Sequence, residues 1–182
     1  MSTAGTLIIV VFIMLFVAGM NMKFVLSMLA AGVGLFAVLV IAEPYRLKRF
    51  TAFLDPFQDP LGSGYQVIQS LYAIGSGGLF GLGLGKSRQK YFYIPEPQND
   101  FIFAVAGEEL GFVGSAVIII LLLFITIECI FIARKAKDTA GRLICCGVGA
   151  LIGFQTFVNI GVASGLLPNT GVTLPFVSYG QI

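Results

Sequence analysis

Long apolar runs separated by short polar connections dominate the chain. Four of these runs approach or reach the roughly 20 apolar residues that a helix needs to cross a hydrocarbon core. They cover residues 6–20, 24–41, 114–133 and 143–162. The pattern predicts an all-α polytopic membrane protein with four transmembrane helices. A large connection over residues 42–113 joins the second span to the third.

Composition supports this class and excludes several others. Of the 182 residues, 57% are hydrophobic and 11% are charged, and the mean hydropathy is +0.95. A net charge of +2 from scattered basic residues is too small for a nucleic-acid-binding face. The absence of histidine excludes a histidine-based triad and histidine-ligated zinc or haem. The three cysteines lack a CxxC spacing, so they predict neither a metal cluster nor a disulfide framework.

Basic residues in the short connections predict the orientation. Four of them lie in the nine-residue connection between the last two spans: Arg134, Lys135, Lys137 and Arg142. Lys23 lies in the turn between the first two spans. Short basic loops mark the cytoplasmic side, so the long connection is expected outside. Since the chain then also starts outside without a basic leader, we expect further spans before Met1 and after Ile182.

The long connection is predicted to be partly helical. In "GYQVIQSLYAIGSGGLFGLGLG" the apolar residues recur at helical intervals from Tyr65 to Ile74, which is typical of a helix at the membrane interface. The glycine-rich run that follows ends the helix. Pro95 and Pro97 then favour extended backbone just before Asp100. We expect the connection to fold back over the spans as an ordered cap.

The glycine-rich run is not a phosphate loop. A GxxxxGK[ST] motif ending at Lys86 and Ser87 would need glycine where Phe80 stands. No β-strand pattern precedes the run either. Glycine here more simply permits tight turns and close approach of backbones.

Three acidic residues at the start of the third span each have two interpretations. Asp100 could cap the helix predicted from Phe101, or it could be a general base at the boundary between lipid and water. Glu108 and Glu109 could pair with arginine or lysine, or they could contact substrate, because ionisable residues at membrane depth usually serve a function. Both alternatives remain open from the residues alone.

A basic cluster, "PYRLKRF", begins where the second span leaves the membrane. Its cations, including Arg46, could bind headgroup phosphates or simply anchor the span.

Several stretches in order resemble one bacterial family. They run from "PYRLKRFTAFLDPFQDPLGSGYQ" through "YIPEPQNDFIFAVAGEELGFVG" to "GLLPNTGVTLPFVSYG". They resemble the shape, elongation, division and sporulation family, which contains FtsW, RodA and SpoVE, and lean toward FtsW and SpoVE. The resemblance implies a ten-span protein that polymerises lipid II beside a class B penicillin-binding protein. The four spans here would then be the sixth to ninth.

The resemblance also implies the roles of individual residues. The essential aspartate of the family falls on Asp100, which would act as the catalytic base. By their charge and position, the cations Lys86, Arg88 and Lys90 are candidates to bind the substrate phosphates, and Glu108 and Arg46 are further candidate substrate-binding residues. No cofactor is expected, although one carboxylate with substrate phosphates could hold magnesium.

The chain departs from the family pattern at both ends. Thr3 stands where the family has an aspartate, and "SYGQI" replaces "SYGGSS". We therefore expect a partial chain. Two other functions stay open: a lipid II flippase, and an inactive scaffold that recruits the penicillin-binding protein. The residues do not decide between division, elongation and sporulation.

Overall fold

The computed structural model describes residues 2–41, 55–58, 60, 64–87 and 101–178, and every regular element within these ranges is helical. The α-helices are α1 (Ser2–Val17), α2 (Met22–Ile41), α3 (Tyr65–Gly77), α4 (Ile102–Lys135) and α5 (Thr139–Ala163). One turn of 3₁₀ helix covers Pro56–Gln58. The predicted all-α class is confirmed over this part of the chain.

The first two helices are joined by a tight turn. Helix α1 ends before Gly19, whose φ of 85° leaves the helical region. The Met20 N–H then donates to the Leu15 carbonyl at 3.2 Å, which satisfies a carbonyl in the last turn of α1. Asn21 caps α2, because its Oδ1 accepts from the Lys23 N–H at 3.1 Å. The turn therefore fixes both helix ends within a few residues.

Helices α4 and α5 are long and apolar enough to cross a membrane. They contain the predicted spans 114–133 and 143–162. Helix α1 has 16 residues and α2 has 20, and both sequences are mainly apolar. Their crossing of the membrane stays a prediction.

The connection between α4 and α5 is basic and well capped. Arg134 and Lys135 lie in the last turn of α4, where positive charge suits the helix dipole. Asp138 directly precedes α5, and its Oδ2 accepts from the Gly141 N–H at 2.6 Å. The carboxylate satisfies a first-turn donor and complements the positive end of α5.

The chain divides into two compact units. The described part of the first consists of α1, α2, residues 123–135 of α4 and residues 139–154 of α5. Within it, glycines let α4 and α5 approach closely. A Cβ added at Gly149 would lie 2.9 Å from the Cβ of Cys129, and one at Gly153 would lie 3.0 Å from Cγ2 of Thr126. Small residues at such a crossing are typical of packed membrane helices.

The described part of the second unit contains α3, the glycine-rich run, residues 101–122 and residues 155–178. Helix α3 confirms the predicted helix in the long connection and packs against the end of α5. Its Ser70 hydroxyl donates to the Ala163 carbonyl at 2.6 Å. The amide of Asn169, beyond α5, donates to Gln66 Oε1 at 2.7 Å. These two contacts fasten the long connection to the C-terminal part of the chain.

Candidate functional site

The glycine-rich loop, defined here as residues 78–85, lies directly against the backbone of α4. The N–H groups of Leu82 and Gly83 donate to the carbonyls of Glu108 and Glu109 at 2.9 and 3.0 Å. In return, the N–H groups of Phe112 and Val113 donate to the carbonyls of Gly78 and Leu79. Four main-chain hydrogen bonds thus pair residues 78–83 of the loop with residues 108–113 of α4.

Glycine is required where the two backbones meet. A Cβ at Gly81 would overlap the Glu109 carbonyl, and a Cβ at Gly111 would overlap the Gly81 nitrogen. At the end of α3, a Cβ at Gly77 would overlap the Gly107 carbonyl. No side chain fits between these segments, so the loop and the start of α4 form one closely packed layer.

Gly111 divides α4 into two parts. Its φ of 70° and ψ of −168° are not helical and belong to a backbone region that is almost restricted to glycine. The break leaves a short helix over residues 102–110 and an apolar helix from residue 112. The sequence pattern placed the glutamates on a helix leading into the span, but missed this break. The loop N–H groups now satisfy the carbonyls that the break frees.

Glu108 is held inside this layer. Its side chain is 1% exposed, and its Oε2 accepts a hydrogen bond of 2.5 Å from the hydroxyl of Ser87, which is 2% exposed. A buried carboxylate needs hydrogen-bond donors to offset its lost hydration. Glu108 therefore connects α4 with Ser87, which directly follows Lys86 just after the loop. The sequence did not anticipate this serine contact, and pairing of Glu108 with arginine, lysine or substrate stays a prediction.

Glu109 is held mainly through its backbone. Its carbonyl accepts from Gly83, and its side chain is half-buried. Its Oε1 is buried and has no hydrogen-bond partner among the residues that the structure describes.

The predicted site residues are only partly within the described chain. Lys86 is exposed, its N–H donates to the Gly83 carbonyl at 3.1 Å, and it directly precedes Ser87. The other four, Arg46, Arg88, Lys90 and Asp100, lie outside the described residues. Phe101, which follows Asp100, is 1% exposed and begins the short helix by accepting from the Ala104 N–H at 3.0 Å.

Ser87 and Phe101 thus flank the predicted catalytic segment 88–100 as buried residues. Sequence reasoning missed Ser87, which entered it only as the last residue of a rejected phosphate-loop motif. The sequence held one signal, because a glutamate within an apolar stretch requires a polar partner. The pairing of Ser87 with Glu108 is a long-range contact that no local pattern encodes.

Metal-binding geometry is limited within the described ranges. No group of three or more Asp, Glu, Cys or His side chains there is arranged to hold an ion. The free thiols of Cys129, Cys145 and Cys146 are half-buried.

A family model described as "Cell cycle protein", covering FtsW, RodA and SpoVE, matches residues 1–181. The chain belongs to this family. It is therefore a membrane protein, as the composition predicted, and the resemblance read from its motifs is confirmed.

Individual relatives agree with the family match. The chain is 52% identical over 168 residues to stage V sporulation protein E of Bacillus subtilis (strain 168), covering 92% of this chain and 46% of the relative. It is 46% identical over 180 residues to "Probable peptidoglycan glycosyltransferase FtsW" of Geobacter sp. (strain M18), covering 99% and 49%. The chain thus spans about half the length of these relatives.

A solved structure gives the same result in three dimensions. It is described as "Structural coordination of polymerization and crosslinking by a peptidoglycan synthase complex". One of its chains superposes with a TM-score of 0.73 at 35% identity, covering 99% of this chain and 50% of that one. The all-α fold described above is therefore part of a family fold of about twice this length.

Proposed function

We propose that the protein is a peptidoglycan glycosyltransferase that polymerises lipid II into glycan strands in cell division or sporulation. Its membership of the FtsW, RodA and SpoVE family over residues 1–181 carries this proposal. A relative with 46% identity bears the name of that activity. The geometry adds support, since Ser87 and Phe101 give the proposed catalytic segment two buried flanking residues.

In the proposed reaction, Asp100 is the general base. A sugar hydroxyl of one lipid-linked substrate attacks the anomeric carbon of the other, and Asp100 takes the hydroxyl proton. The new glycosidic C–O bond replaces the bond from that carbon to the pyrophosphate, which leaves with its lipid. Lys86, Arg88 and Lys90 offset the negative charge on the leaving pyrophosphate.

Two further residues complete the proposed site. Arg46 binds a headgroup phosphate of a lipid-linked substrate, and Glu108 holds Ser87 and thereby the start of the catalytic segment. Holding two tethered substrates in one groove supplies much of the rate through positioning. Where magnesium takes part, one carboxylate and the pyrophosphate oxygens would hold it.

The proposed orientation places the catalytic loop on the extracellular side. Four exposed basic residues support it: Arg134, Lys135, Lys137 and Arg142. They surround the short α4–α5 connection, and such basic connections stay in the cytoplasm. A class B penicillin-binding protein is the proposed partner, because the superposed structure belongs to a complex that coordinates polymerization and crosslinking.

The test replaces Asp100 with asparagine in a version of the chain extended to the length of its relatives. Purified protein is incubated with lipid II in detergent. The glycan strands are separated by length, and their rate of formation is measured. Loss of a general base lowers the polymerisation rate by about 10²- to 10⁴-fold. Asp55→Asn is the matched control, because Asp55 is an exposed aspartate of the same connection whose Oδ1 accepts from the Phe57 N–H, as an amide oxygen also can.

The two variants separate the proposed activity from its alternatives. We expect Asp55→Asn to polymerise at the parent rate while Asp100→Asn does not. Full polymerisation by Asp100→Asn would overturn the role of this residue and favour its helix-capping role. A lack of polymerisation by the parent itself would instead favour a flippase or a scaffold.

A further inference from the structure

The glycine-rich loop presents a set of exposed apolar side chains, here called the apolar loop patch: Leu79, Phe80, Leu82 and Leu84. Phe80 is 81% exposed and Leu84 is 76% exposed. Large apolar side chains clustered at one exposed place mark a surface that another apolar phase covers.

The patch is continuous with the exposed apolar surface of α4. Main-chain hydrogen bonds join Gly78 and Leu79 to Phe112 and Val113, at 2.9 and 3.1 Å. Phe112 and Val113 are the first residues after the Gly111 break, and both are exposed. Farther along the same helix, Val117 and Ile120 are also exposed. The patch therefore adjoins the exposed apolar surface of α4, a helix long and apolar enough to cross a membrane, at the end where its apolar part begins.

Several main-chain groups of the loop are satisfied by protein, as an apolar setting requires. Irregular backbone is tolerated at membrane depth only where protein satisfies its polar groups. Here the N–H groups of Gly81, Leu82 and Gly83 donate to protein carbonyls, two of them in α4. The carbonyls of Gly78, Leu79 and Gly83 accept from protein N–H groups. The side chains can enter lipid while these main-chain groups stay paired.

A cation follows the patch. Lys86 is exposed, and its aliphatic stem passes close to Gly83, within 3.5 Å of a Cβ placed there. Lysine side chains in this position extend along apolar surface and place the ammonium among phosphate groups. Apolar side chains followed by one exposed lysine match the layers of a phospholipid leaflet, with acyl chains beside headgroups.

We propose that the apolar loop patch inserts among the acyl chains of the bilayer where α4 enters it, with Lys86 at the lipid phosphates. The occupant is bilayer lipid rather than a second protein, because the patch adjoins the exposed apolar surface of α4 and ends at a cation. The apolar contact goes beyond the glycosyltransferase activity and does not rest on it, whereas Lys86 is shared with the proposed site, where it faces the pyrophosphate of a lipid-linked substrate.

Tryptophan fluorescence tests this contact directly, since the chain contains no tryptophan. Phe80→Trp places a single fluorophore in the patch. Val117→Trp on α4 serves as the lipid-facing reference, and Ala140→Trp, exposed beside the basic connection, serves as the water-facing reference. Each variant is reconstituted in vesicles of phosphatidylcholine and phosphatidylglycerol, both as the 182-residue chain and as the version extended to the length of its relatives. In the extended version any tryptophan among the added residues is replaced by phenylalanine, so that each variant has one fluorophore.

We expect Phe80→Trp to behave like Val117→Trp in both versions. Its emission should be blue-shifted, brominated phospholipids should quench most of it, and acrylamide should quench it several-fold less than Ala140→Trp. Leu84→Trp gives a second position within the patch in case substitution at Phe80 disturbs folding.

Two results would overturn the proposal. Acrylamide quenching equal to that of Ala140→Trp would place the loop in water. Protection from both quenchers would show that protein covers the patch, either a second copy, a partner chain or the additional residues of the extended version.

Discussion

A buried side-chain hydrogen bond joins Ser87, just after the glycine-rich loop, to Glu108 in the first part of α4. Ser87 and Glu108 are 21 positions apart in sequence, and both side chains are almost inaccessible to water. A charged acceptor strengthens such a bond, and loss of the donor leaves a carboxylate with less compensation for its burial. This residue pair should therefore contribute to stability as well as to the position of Lys86.

Replacing Ser87 with alanine tests this contribution. We expect the free energy of unfolding to fall by about 1–3 kcal/mol, the usual cost of removing a partner from a buried polar group. The measurement is the Tm of the purified protein in detergent. Ser76→Ala is the control, because the Ser76 hydroxyl donates to the Ala73 carbonyl of its own helix and the residue is exposed.

The Ser76→Ala protein should melt close to the parent. Equal shifts for the two serine variants would mean that the Ser87–Glu108 contact contributes no more than a surface hydrogen bond.

At the scale of elements, the break at Gly111 determines how the loop meets α4. Gly111→Ala should destabilise the protein by at least about 1–3 kcal/mol, because alanine is strained in this backbone region. The added Cβ would also overlap the Gly81 nitrogen. Tm and the yield of monodisperse protein measure the effect.

Gly75→Ala is the matched control for this substitution. Gly75 lies inside α3 with nothing within 4 Å of an added Cβ. Alanine is the better helix former, so this change should stabilise by about 0.5–1 kcal/mol. Similar Tm values for the two variants would contradict the close packing of the loop on α4.

The elements themselves were largely predictable, while their junction was not. Apolar runs and helical spacing predicted α3, α4 and α5, since each pattern depends only on residues that are neighbours in the chain and on the apolar surroundings, protein or lipid, that they require. The pairing of residues 78–83 with residues 108–113 depends on which glycines meet in space. The sequence contains Gly81 and Gly111, but local pattern cannot state that they face each other. Asp100, the strongest prediction for the site, stays a prediction.

At the scale of the whole molecule, the basic α4–α5 connection predicts the orientation in the membrane. Single cysteines at Asp55 and Ala140 report on the two sides, in a background where Cys129, Cys145 and Cys146 are replaced by alanine or serine. Asp55 and Ala140 are both exposed. Because the α4–α5 connection is basic, we expect an impermeant maleimide to label Asp55→Cys in intact cells.

Labelling of Ala140→Cys should then require permeabilised cells. The background without added cysteines controls for residual reaction. Labelling of Ala140→Cys in intact cells, with protection of Asp55→Cys, would reverse the proposed orientation and move the catalytic loop inside.

The bond from Ser70 to Ala163 has a consequence for how the protein is made. Its partners are 93 residues apart, so α3 is synthesised long before the helix end to which it binds. At about 5–20 residues per second, the ribosome needs roughly 5–20 s to supply that end. During this interval α3 lacks its final docking surface, and Ser70 has to find other hydrogen-bond partners. The long connection therefore reaches its final arrangement only after the last described spanning helix has been made.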